Sequence, residues 1–140
     1  MTEMSAGRPP HYNIEYDEML AIQICNGLRP EFAKGTPECF IHLANQFLDA
    51  NPSNRPTASD IHEKFSKWYT IVAYGTAKDK DELSILKAFK SADEIIPTLS
   101  TELQIYSKDK LTSKLLDFKN LSEPINCDST SCNFSISDRL

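Results

Sequence analysis

The chain has 140 residues and a net charge of −5, with 15 Lys and Arg against 20 Asp and Glu, which leaves no electrostatic reason to expect a nucleic-acid backbone or an anionic membrane as partner. A hydrophobic share of 40 % and a mean hydropathy of −0.41 fit a small core with a polar remainder better than one core spread over the full length. No apolar run reaches the roughly 18 residues of a membrane span, and Met1-Thr2-Glu3-Met4 lacks the basic-then-apolar order of a secretory leader, so the expected location is cytoplasmic.

In chain order, the first helical pattern covers 17–26, where Leu20, Ala21, Ile24 and Cys25 fall on one face. Gly27 ends it, and Leu28-Arg29-Pro30 leads into a connector because Pro30 disfavours helical geometry in the residue before it. The second pattern covers 36–48. Thr36 is expected to cap it, Pro37 suits the first helical position, and Glu38 complements the positive end of the helix dipole. Its stripe of Phe40, Leu43, Ala44, Phe47 and Leu48 needs a partner surface.

Residues 49–56 hold two prolines, two asparagines and a serine, the makings of a tight non-helical corner. Thr57 then opens a third helix, with Asp60 completing a variant of the capping box and Ile61, Phe65 and Trp68 facing inward. Tyr69-Thr70-Ile71-Val72 reads as its continuation. A fourth pattern over 79–94 places Leu83, Leu86 and Phe89 on one side and mixed charges opposite; it either packs on the others or forms only transiently. Pro97 stops it. The remainder, rich in Ser, Thr, Lys and Asp, is expected to be mostly disordered, with Leu111, Leu115, Leu116 and Phe118 able to form a short helix on a partner. The expected fold class is therefore all-α: a small helical bundle over 1–72, an additional helix and linker over 73–96, and a tail over 97–140.

Chemistry-bearing residues are sparse. Cys25, Cys39, Cys127 and Cys132 make no compact metal-ligand spacing, and free thiols in a reducing compartment are the expectation. His11, His42 and His62 have no serine or cysteine nucleophile placed beside them by a local motif. No catalytic, cofactor-binding or metal-ligating residue is assigned.

One ordered set of motifs points to a family. Gly7-Arg8-Pro9-Pro10, then the helix ending in Ile24-Cys25-Asn26-Gly27-Leu28-Arg29-Pro30, then Asn51-Pro52-Ser53-Asn54-Arg55-Pro56-Thr57, resembles the end of a protein kinase catalytic domain of tyrosine-kinase-like type. The resemblance runs from Met1 to near Trp68, about half of the chain, and implies the close of the long central helix of the large lobe followed by its last three helices. It departs from the family at His11, where an aromatic is frequent, and at Phe47-Leu48, where a Cys-Trp pair is frequent.

The resemblance also implies what this stretch does not contain. ATP and magnesium in an intact kinase are held by a glycine-rich loop, a strand lysine, a catalytic aspartate and an Asp-Phe-Gly aspartate, all of which precede the matching region. Gly7, Gly27, Gly35 and Gly75 are too widely spaced for a phosphate-cradling loop. Thr36-Pro37-Glu38 superficially matches the end of an activation segment but follows the later helices, and Ile71-Val72-Ala73-Tyr74 has tyrosine where an ATP lysine would stand.

By the resemblance, Arg55 has a structural role, held inside the large lobe by the glutamate that ends the activation segment. That glutamate is not in this sequence, so a solvated loop arginine is the competing reading. The expected function is that of a kinase-domain fragment, of a family that phosphorylates protein Ser/Thr or Tyr with ATP, inactive by itself. The alternative is a non-catalytic module that docks protein partners through its helical surface. Without the long central helix, the bundle is expected to be marginally stable.

Overall fold

The computed structural model describes residues 1–99, 117–118 and 121–126. Among these it is all-α, with α1 Thr2–Ala6, α2 Glu18–Cys25, α3 Glu38–Phe47, α4 Ala58–Tyr74 and α5 Lys80–Ile95, and 3₁₀ turns at Pro52–Asn54 and Ile96–Thr98. Its contacts form two units. One comprises Met1–Pro10 and Glu31–Leu103, the other His11–Pro30 and Gln104–Leu140.

The first unit is built on α3, α4 and α5. Leu43 and Ala44 of α3, Trp68 and Ile71 of α4, and Leu86 and Ala92 of α5 are its buried apolar residues. A run of rings joins the three helices: Phe40 to Phe65 at 6.4 Å between centroids, Phe65 to Trp68 at 5.5 Å and near-perpendicular, and Trp68 to Phe89 at 5.8 Å. Such offset and edge contacts add about 0.5–1.5 kcal/mol per pair beyond the area they bury. They make Trp68 the centre of the packing.

The helix starts follow from their first residues, with one correction. At α4 the Thr57 hydroxyl accepts the Asp60 N–H at 3.3 Å and the Asp60 carboxylate accepts the Thr57 N–H at 2.8 Å, the reciprocal capping box expected of this pair. At α3 the cap is Pro37, not Thr36. The Thr36 hydroxyl instead donates to the Ala33 carbonyl at 2.7 Å, closing the turn before the helix, so it is unavailable to cap. The corner over 49–56 likewise contains one 3₁₀ turn, opened by the Asn51 side chain accepting the Ser53 N–H at 3.0 Å.

α5 packs against α4. Its buried face is centred on Glu82, Leu86 and Ala92, while Leu83 is exposed. Of the expected grouping, Leu86 is buried and Phe89 meets Trp68, while Leu83 faces out and Glu82 takes the inward place, for a polar reason. The Glu82 carboxylate accepts the Lys78 N–H at 2.9 Å and pairs with Lys67 of α4 at 3.2 Å, which requires residue 82 to face that helix. Beyond α5, Gly35 at φ +84° lies so close to Ile95 that a Cβ there would sit 2.8 Å from the Ile95 Cδ1. Only glycine allows both that backbone and that approach.

In the second unit, Asp17 caps α2 by accepting the Leu20 N–H at 2.9 Å, and Leu20 is its buried residue. The helix lies inside the expected 17–26 with Asp17 and Asn26 as its caps, but Ile24 of the expected apolar face is exposed. Of the polar tail, Asp117, Phe118 and 121–126 are described, without helix or strand. The leucines at 111, 115 and 116 lie outside the described residues.

Candidate functional site

Among the described residues, each unit has a place where residues of the kinase-like motifs gather polar groups. In the first unit the 49–55 corner is organised by side chain to backbone bonds. The Asp49 carboxylate accepts the Asn51 N–H at 2.8 Å and the Asn54 side-chain amide at 3.3 Å. Arg55 Nε donates to the Asp49 carbonyl at 2.9 Å, and the residue as a whole is exposed. The structure thus places Arg55 on its own loop, where it ties a residue two past the end of α3 to one two before the α4 cap.

In the second unit the end of α2 is the more elaborate arrangement. Gly27, at φ +98°, reverses the chain so that its own N–H reaches the Ile24 carbonyl at 3.0 Å and the Leu28 N–H reaches the Gln23 carbonyl at 2.9 Å. This is the glycine-dependent helix end that satisfies two of the last-turn carbonyls locally. The Cys25 carbonyl accepts from elsewhere: the Ile125 N–H lies 2.8 Å away. Arg29 completes the group. Its Nη1 donates to the Leu28 carbonyl at 2.9 Å and the Ile24 carbonyl at 3.2 Å, and its Nη2 donates to the Ile125 carbonyl at 3.2 Å. A guanidinium at a helix C-terminus is also favoured by the helix dipole.

The remaining candidates stand apart from one another. His42 and His62 are exposed, and His11 occupies a left-handed backbone at φ +55°. Cys25 and Cys39 are free and half-buried, and burial pushes the Cys39 thiol up, which keeps it protonated and poorly nucleophilic at neutral pH. Cys127 and Cys132 lie outside the described residues. Among the described residues there is no group of three His, Cys, Asp or Glu able to hold a metal ion, and no helix is long and apolar enough to cross a membrane.

The role of Ile125 had no signal in the sequence, because its part is played by backbone groups that almost any residue carries. Arg29 had a weak one, a cation just past a glycine-terminated helix. No protein-family model, no curated protein and no solved structure matches the chain.

Proposed function

We propose that the chain carries the closing helices of the large lobe of a protein kinase domain, tyrosine-kinase-like in type, whose family activity is ATP-dependent phosphorylation of protein hydroxyls in signalling. Its own residues pack and dock without catalysing. The observation that carries this reading is the ordered motif run and where its parts fall. Gly7 follows α1, Gly27 closes α2, and the Asn51 to Thr57 run forms the corner between α3 and α4, with Arg55 bonded to the corner's first residue and Thr57 capping the next helix. Motif residues that sit at helix ends are doing the backbone work that such spacing requires.

Reading the transcript upstream of Met1 tests the proposal. An in-frame stretch with a glycine-rich loop, a strand lysine and a catalytic aspartate is expected, and its absence from a transcript whose coding start is at Met1 would overturn the kinase reading. A second reading, a non-catalytic docking module, is favoured by the exposure of Met19 and Ile24 on α2. It predicts a chain that starts at Met1 in the cell and binds a protein partner through that helix, lost on Met19→Glu.

A further inference from the structure

The last turn of a helix leaves carbonyls that the helix itself cannot pair. In α2 the glycine end takes those of Gln23 and Ile24, and the Cys25 carbonyl is met by the amide of Ile125. Ile125 is held at both its backbone groups, since Arg29, 96 residues away in sequence, takes its carbonyl. Its side chain contributes little to the hold, because the residue is 56 % exposed. Recognition here is of backbone groups. Pro124 suits this: its ring fixes one dihedral and biases Glu123 toward extended geometry, so less freedom is lost when the segment is seated.

We infer that the C-terminal end of α2, with Arg29 as its clamp, is a docking site for a peptide backbone, and that 121–126 of the same chain is its occupant. Ile125 itself is held by two hydrogen bonds to its backbone on an exposed segment, which makes the hold reversible. It is maintained by tethering, since a segment on the same chain has an effective concentration of about millimolar. The seat takes a residue with a free N–H and C=O, is helped by a preceding proline only through the freedom that proline removes beforehand, and carries no requirement for a particular side chain at 125. The inference is independent of whether the helices belong to a kinase lobe.

Amide hydrogen exchange on the full-length chain, read residue by residue by NMR, tests it. The Ile125 N–H is expected to exchange at least about tenfold more slowly than the unstructured rate, and Arg29→Ala is expected to remove most of that protection while the Leu20 N–H, capped by Asp17, stays protected. Exchange of Ile125 at the unstructured rate in the wild type, or protection unchanged in Arg29→Ala, overturns the inference. Ile125→Pro provides the second arm, deleting the donor at an exposed position. A synthetic peptide spanning 119–128 is expected to shift the amide resonances of 25–29 in the full-length Ile125→Pro protein at a concentration at least tenfold below that needed for the wild type, whose seat is filled. Equal shifts in both proteins, or none in either, overturn it.

Discussion

At the scale of single residues, Glu82 does the most unusual work, because it is a carboxylate on a buried helix face. The Lys78 N–H and, next, the Lys67 ammonium hold its pKa below the ordinary glutamate value, against the opposing effects of burial and of Asp79. A carboxylate with a depressed folded-state pKa adds stability that is present at neutral pH. That stability is lost as pH falls from the ordinary range, about 4.3, through the folded value. Urea midpoints measured from about pH 7 to pH 3 should therefore fall in the wild type, and fall less steeply in Glu82→Gln, which keeps the shape and an acceptor but loses the ion pair. Parallel curves for the two proteins would assign the acid sensitivity elsewhere. Asp60 carries the same sign, its carboxyl lowered by the Thr57 N–H and hydroxyl. On the other side of that capping box, Thr57→Ala should cost about 1 kcal/mol, measured by urea unfolding with the fluorescence of Trp68, the only tryptophan.

At the scale of elements, close approaches and ring contacts decide what can change. Gly35→Ala meets two obstacles, a backbone at φ +84° and the Ile95 side chain 2.8 Å from the new Cβ. The backbone part alone is about 1–2 kcal/mol. A double-mutant cycle separates the two, because Ile95→Ala added to Gly35→Ala should recover the steric part and leave the backbone part. Additive losses would show that the contact is not the constraint. How much of this was legible in the sequence depends on the kind of interaction. Thr57 and Asp60 announce a helix start because capping needs those side chains three apart, whereas the start of α2 was legible from its apolar pattern and the Asp17 cap is seen only in the structure. Thr36 looked equivalent but had a competing carbonyl at Ala33, a choice that only the preceding turn determines. On α5, Leu86 and Phe89 are legible in the apolar spacing, but the inward turn of Glu82 in place of Leu83 is not, because spacing alone carries no sign of its pairing with Lys67. The seat for Ile125 was invisible, since neither a backbone amide nor a chain-distant pairing leaves a periodic trace. Arg55 stood out only through the resemblance, which implied a different partner, while its bond to the Asp49 carbonyl depends on the path of the corner.

At the scale of the whole molecule, the proposed kinase ancestry makes a thermodynamic prediction. The buried apolar set of the first unit is small, Leu43, Ala44, Trp68, Ile71, Leu86 and Ala92, while Phe65, Tyr69, Tyr74 and Leu83 of the same helices remain substantially exposed. Net stability is a small difference between large terms, so a thin core leaves little margin. Trp68→Ala, at about 3–5 kcal/mol for a buried aromatic, should by itself unfold the chain, seen as loss of helical circular dichroism at room temperature. The unmutated chain should melt early and broadly, with no shift on adding ATP and magnesium. If these helices evolved against the remainder of a large lobe, a longer product containing the preceding sequence should melt more sharply and higher, since each added kcal/mol raises the midpoint of a unit this size by about 4–8 °C. The two melts, compared by circular dichroism at equal concentration, separate the readings. A sharp, high-temperature transition in the 140-residue chain alone would mean that its helices are sufficient to one another, and would count against the lobe-fragment reading and for an autonomous docking module.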